Sequence, residues 1–164
     1  MKRSTVFLAE AAVIAAVYTA LTLAFQPISY GPIQFRISEA LCILPYFRTA
    51  AVPGITIGCL LANILGGAPL PDIIFGTLAT FIGAVLSHRL APVSRWLVCI
   101  PPIVSNALII PFVLRFAYGV PDMIPFMMLT VGVGEVLAVG VLGNMLLLLL
   151  EPLSGRIFGT ELAS

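Results

Sequence analysis

Charge is what this sequence has least of. Of its 164 residues only 9% are Asp, Glu, Lys or Arg, against 60% hydrophobic, and the mean hydropathy is +1.15. So few charged groups cannot furnish the aqueous surface of a soluble domain of this size, which makes lipid the expected solvent. The formal net charge is +1, and the eight basic residues form no polybasic tract, which excludes a nucleic-acid surface. Histidine is nearly absent: His88 is the single one. Cys42, Cys59 and Cys99 each lie inside an apolar run with no C-x-x-C and no nearby His, so neither metal ligation nor a disulfide framework is expected, and the thiols read as small buried side chains. No cofactor is implied. The phosphate-cradling G-x-x-x-x-G-K-[ST] is missing, as are H-E-x-x-H and G-x-S-x-G, so the chain is not expected to hydrolyse ATP or to be a membrane-embedded enzyme.

What is present is a series of apolar runs. A spanning helix needs about 20 mostly apolar residues, and four runs reach that scale, from Val6, Pro69, Leu97 and Phe126 onward. The first follows Met1–Arg3 and outlines a signal peptide, but it continues to about Phe25 without a small-residue cleavage site, so it reads as a retained span. Two shorter runs, 37–47 and 53–65, would reach only about 15 to 20 Å at 1.5 Å per residue. They fit either two short or tilted helices or a re-entrant hairpin broken at Pro45, Arg48 and Pro53. Both return the chain to the same side. The expected fold is therefore an all-α integral membrane protein, one domain over 1–164, with segments near 6–25, 37–48, 52–66, 69–87, 97–117 and 124–150. With both termini cytoplasmic, Lys2, Arg3, Arg48, Arg89, Arg95 and Arg156 fall inside and only Arg36 and Arg115 outside, which satisfies the positive-inside rule. Trp96, beside Arg95, then anchors the inner interface.

Small residues recur at helical spacing. Ala12, Ala16, Ala20 and Ala24 form a stripe on the first helix, Gly54, Gly58, Ala62 and Gly66 another on the third segment, and Gly132, Gly134, Gly140 and Gly143 thin the last. In lipid such stripes permit close backbone approach, so a neighbouring helix is expected against each.

Polar side chains inside spans are expensive, about 2.5–3.5 kcal/mol for a charge at the helix centre on insertion scales, and so face the bundle interior or a water-filled cavity. Eight gather toward the outer half: Gln26, Arg36, Glu39, Asn63, Asp72, Asn106, Arg115 and Glu135. They suit one outward-facing cavity. A plainer reading pairs Arg36 with Glu39 at i and i+3 and lets Asp72 cap the helix after Pro71. Glu135 resists that reading, because no cation stands at i±3 or i±4. Glu10 is expected to reach toward Lys2 and Arg3, Asn144 to bond a neighbouring helix, and His88 to sit at the inner interface.

The stretch QPISYGPIQFRISEALCILPY from Gln26 to Tyr46, with PGITIGCLLANIL from Pro53 and DIIFGTLAT from Asp72, resembles the QueT family. The likeness extends over most of the chain, and the SYGPIQFRISEAL string is its most specific part. What the resemblance implies is a six-helix substrate-binding (S) component of an energy-coupling-factor (ECF) importer in the cell membrane. Such a subunit captures queuosine precursors, 7-cyano- or 7-aminomethyl-7-deazaguanine, outside the cell. It also implies docking on a transmembrane coupling subunit, itself bound to two ATPases, through small residues on the first helix; Ala12, Ala16 and Ala20 match that pattern.

A deazaguanine offers N1–H and an exocyclic amine to a carboxylate, for which Glu135 or Glu39 is available, and a carbonyl to a donor such as Asn106, Gln26 or Arg115. Asp72 suits a cationic aminomethyl group, and Tyr30 and Phe35 in the first outer loop suit the flat ring. An S component for another vitamin and an autonomous gradient-driven transporter remain the competing readings.

Overall fold

The computed structural model describes residues 3–29 and 35–157, and these are helical wherever they are regular. Helix α1 (Arg3–Ala24) leads through a short turn at Gln26–Ser29 to a 3-10 helix at Ile37–Tyr46, then α2 (Ala51–Leu65), α3 (Leu70–Leu90) and α4 (Ile100–Phe116). Helix α5 begins at Ile124–Glu135, widens into π turns over Val136–Gly143, and returns to α geometry at Asn144–Leu150. Four helices, Ser4–Ala24, Leu70–Leu90, Arg95–Phe116 and Ile124–Leu153, are long and apolar enough to cross a membrane, while Ile37–Tyr46 and Ala51–Leu65 are shorter apolar helices. Leu, Phe, Ile and Val side chains stand exposed along the long helices, as expected where lipid is the solvent.

The second segment departs from its expected α geometry. Ten residues of 3-10 helix are unusual, since this form seldom exceeds 3–4 residues. Its rise of about 2.0 Å per residue stretches the segment to roughly 20 Å, where an α-helix would reach about 15 Å. Pro45 lies inside it, and its missing N–H removes one bond that an α ladder would need. Pro53, in contrast, falls in the first turn of α2, where that N–H has no intrahelical partner anyway. The two prolines therefore act differently: one sits within a tight helix, the other starts a regular one.

Glycines set the close contacts. Helix α1 buries Ala11, Ala15, Tyr18 and Thr22 against α2. A methyl on Gly54 would lie 3.0 Å from the Ala11 carbonyl oxygen, and one on Gly58 only 2.8 Å from Tyr18 Cβ. The glycines of the third segment thus receive the first helix, whereas Ala12, Ala16 and Ala20, one residue around, stay exposed. The 3-10 helix packs on the π turns of α5, where Gly143 leaves room for Ile43 and the Ala40 carbonyl. A narrow helix meets a wide one there.

At the end opposite Asp72, ion pairs tie the segments together. Arg48 holds both oxygens of Glu10, at 2.7 and 3.0 Å. This corrects the expectation that Glu10 turns to its N-terminal neighbours, of which Lys2 lies outside the described residues. Arg95 pairs with Glu151 at 2.7 Å and lies over the Trp96 ring, and His88 Nδ1 meets the Pro45 carbonyl at 2.9 Å. Asn144 bonds the Gly140 carbonyl of its own helix at 2.6 Å, not a neighbouring helix as expected. The bond is a return to the carbonyl four residues back, a local option open to short polar side chains on a helix.

Because Gly58 has no room for any side chain, Gly58→Val is expected to separate α1 from α2 and destabilise the bundle by roughly 1–3 kcal/mol or more. Thermal unfolding in detergent checks this; an unchanged midpoint would contradict the packing.

Candidate functional site

The expected site residues divide into a buried set and an exposed remainder. Four charged groups are buried among the described residues: Asp72 at 0% exposure, Glu39 at 1%, and Arg36 and Glu135 at 5% each. Three carboxylates thus share the interior with one guanidinium.

Each arrives on a different element. Arg36 precedes the 3-10 helix in extended backbone, and Glu39 lies in that helix's first turn. Asp72 sits in the first turn of α3, behind prolines that suit a helix start. Glu135 closes the regular part of α5, at the point where the π turns begin. Such local widening often marks a functional position.

The hydrogen bonds connect them. Tyr18 donates its hydroxyl to Glu39 Oε1, and Cys42 donates its thiol to Oε2 at 3.0 Å. Asp72 Oδ2 accepts from the Tyr118 hydroxyl at 2.6 Å and lies 3.8 Å from Arg36 Nη2. Asp72 therefore serves other segments and does not cap α3, whose N-cap is Pro69 without a side-chain bond. Asn63 Nδ2 reaches the Asp72 backbone carbonyl at 3.3 Å, and the Cys59 sulfur accepts from Thr80 at 3.3 Å. Asn106 Nδ2 donates to Glu135 Oε1 at 2.9 Å, and Glu135 stands within electrostatic reach of Glu39 and Arg36.

Two carboxylate oxygens differ from the rest. Asp72 Oδ1 and Glu135 Oε2 are buried and have no hydrogen-bond partner among the described residues. A buried acceptor left unsatisfied costs about 1–3 kcal/mol, and more when charged, so each of these oxygens calls for a donor that the described residues do not supply.

The remaining candidates lie elsewhere. Gln26 is exposed and bonds the Gly66 carbonyl at 3.4 Å; Arg115 is exposed and bonds the Val120 carbonyl at 3.0 Å. Phe35 is half-buried beside Arg36 in the chain, and Tyr30 lies outside the described residues. The open groove on α5 near Ile103, Leu129 and Leu137 carries no polar side chain and offers a polar ligand nothing. Sequence reading missed Tyr18, Cys59, Thr80 and Tyr118. Tyr18 and Thr80 sit in apolar runs, and only their alignment with a partner on another segment, the Glu39 carboxylate for Tyr18 and the Cys59 sulfur for Thr80, gives them away. Cys59 was expected to be buried, as it is, but not to accept a hydrogen bond. Tyr118, an aromatic beside Gly119 where a span ends, was the one with a local signal.

A family model described as the QueT transporter matches residues 8–152, a stretch containing the whole buried cluster. The chain belongs to the QueT transporter family. A curated relative, the "Queuosine precursor transporter QueT" of Lactococcus lactis subsp. cremoris (strain MG1363), is 39% identical over 85 residues, which is 50% of this chain and 50% of that protein. The matched region thus spans half the length of the curated relative. No solved structure matches. Family and apolar helices together make this QueT-family chain a multi-pass membrane protein.

Gly76 lies one turn after Asp72, and a methyl there would stand 2.7 Å from Asp72 Oδ1. Gly76→Ala is expected to push the carboxylate off Tyr118 and Arg36 and lower stability by about 1–3 kcal/mol. A thermal midpoint equal to wild type would contradict that placement.

Proposed function

We propose that this chain is the substrate-specific subunit of an ECF-type importer, binding a 7-deazaguanine precursor of queuosine and passing it through a coupling subunit powered by two ATPases. The observation that carries the reading is the pair of buried, unpartnered acceptors, Asp72 Oδ1 and Glu135 Oε2. They belong to a QueT-family chain whose curated relative is named for a queuosine precursor. A deazaguanine base brings N1–H and an exocyclic amine, which a carboxylate accepts side by side. Glu135, held by Asn106 through one oxygen, presents the other. Arg36 and Asn63, both beside Asp72, are the donors assigned to the carbonyl edge, in place of the exposed Gln26 and Arg115. Phe35, with Tyr30, is the aromatic pair assigned to the ring.

In this reading all six segments cross the cell membrane, both termini are cytoplasmic, and the Asp72 end faces outward. The placement of Arg48, Arg89 and Arg95 at the other end supports that orientation. Docking on the coupling subunit is assigned to Ala12, Ala16 and Ala20. The exposure of these alanines, next to a face already filled by α2, supports it, because small residues in lipid allow a partner helix close approach.

Purified full-length protein is expected to bind 7-aminomethyl-7-deazaguanine or its 7-cyano counterpart at micromolar concentration, read by calorimetry. Glu135→Ala is expected to weaken binding about tenfold or more, the scale of a hydrogen bond to a charged group. If neither base binds wild-type protein, the substrate assignment fails. Ala16→Leu is expected to leave affinity within about twofold of wild type while abolishing co-purification with the coupling subunit and uptake by cells. Normal assembly of that variant would remove α1 from the docking role.

A further inference from the structure

Every basic residue of the chain can be placed against the buried acids. Of the eight Lys and Arg, Arg48 pairs with Glu10 and Arg95 with Glu151, both at the end opposite Asp72. Arg3 starts α1, with Lys2 before it, and Arg156 follows Glu151. Arg89 ends the helix that Asp72 begins, about 25 Å away along its axis. His88, the single histidine, bonds the Pro45 carbonyl at that far end. Arg115 is exposed on the Val120 carbonyl. Of the described basic residues only Arg36 is buried. The sequence outside the described residues adds no cation near the acids, since 30–34 read Tyr-Gly-Pro-Ile-Gln and 158–164 contain no Lys, Arg or His.

One guanidinium therefore faces three carboxylates, Glu39, Asp72 and Glu135, each 5% exposed or less. Whichever of them Arg36 serves, the interior keeps a surplus of two acids. Neutral hydroxyl, thiol and amide donors reach these carboxylates, but they bring no charge to offset the surplus. Lipid around the bundle brings none either. A metal ion is poorly served, because among the described residues no three of His, Cys, Asp and Glu converge to hold one. The two buried oxygens without a partner among the described residues, Asp72 Oδ1 and Glu135 Oε2, point instead to a ligand that carries donors.

Resting on the ligand site proposed above, we infer that this site takes its ligand as an organic cation, so that 7-aminomethyl-7-deazaguanine is preferred over the uncharged 7-cyano base. The two bases present the same edge to Glu135 Oε2 and differ only at the 7-position. There the ammonium brings three donors and a positive charge to Asp72 Oδ1, the second free acceptor. A nitrile brings an acceptor nitrogen to the same carboxylate and leaves the surplus as it was. Charge at the 7-position, not the shared edge, decides between them.

Calorimetry on the purified full-length protein with three bases separates charge from hydrogen bonding: the 7-aminomethyl, 7-cyano and 7-hydroxymethyl forms of 7-deazaguanine. The hydroxymethyl base matches the aminomethyl one in length and keeps a donor, but it is uncharged at neutral pH. The aminomethyl base is expected to bind wild-type protein about tenfold or more tightly than either neutral base, the scale of a hydrogen bond to a charged group. In Asp72→Asn, which removes one negative charge at constant size, that ratio is expected to fall several-fold. A neutral base that binds as tightly as the aminomethyl base overturns the inference and leaves the deazaguanine reading standing. So does a ratio that Asp72→Asn leaves unchanged. If that variant does not fold, the wild-type ratio alone decides. Failure of all three bases to bind removes the deazaguanine reading, and the inference with it.

Discussion

Everything distinctive in this molecule follows from placing three carboxylates and one guanidinium where lipid surrounds the bundle. An isolated charge there is expensive, and water is not at hand to screen it. The chain meets that demand by drawing donors from separate segments: Tyr18 from the first helix, Cys42 from the 3-10 helix, Asn106 from α4 and Tyr118 from the connection beyond it. The polar cluster therefore ties separate segments of the bundle to one another. In lipid the usual hydrophobic drive between helices is small, so such bonds and close glycine contacts take over.

The unusual helix forms serve the same end. A stretched 3-10 helix carries Glu39, and widened π turns begin at Glu135. The two elements pack on each other, bringing the acids into one neighbourhood. Two ordinary α-helices would place side chains at a different rise and angle per residue. Among the described residues Glu39 accepts from the Tyr18 hydroxyl and the Cys42 thiol, and Glu135 from the Asn106 amide through one oxygen alone. The cluster is thereby left with acceptor capacity, which is what a ligand rich in N–H groups requires.

Much of this was legible in the sequence, and the parts that were not have identifiable reasons. Low charge and long apolar runs announced a membrane protein, and the string from Gln26 to Tyr46 announced its family, which the match over 8–152 bears out. Glu135 stood out because no cation lay one turn away, and its partner does come from another helix. The partners themselves were hidden. Hydrophobic periodicity places Tyr18 and Thr80 on helices but says nothing of which distant carboxylate or thiol they face. Arg115 and Gln26 looked equivalent to Arg36 by depth, yet they bond backbone carbonyls, Val120 in the connection after α4 and Gly66 at the end of α2. The alanine stripe on α1 was visible, but only the structure separates it from the adjoining Ala11, Ala15 and Tyr18 face that α2 occupies. The 3-10 geometry had no cue beyond Pro45.

The central claim is that the buried acids are the ligand site, with their unpartnered oxygens as its acceptors. A density map of the full chain bound to 7-aminomethyl-7-deazaguanine tests it most directly. The account predicts base nitrogens within about 3 Å of Glu135 Oε2 or Asp72 Oδ1, the ordinary hydrogen-bond separation. A base lodged elsewhere, with both oxygens still unpartnered, would contradict it.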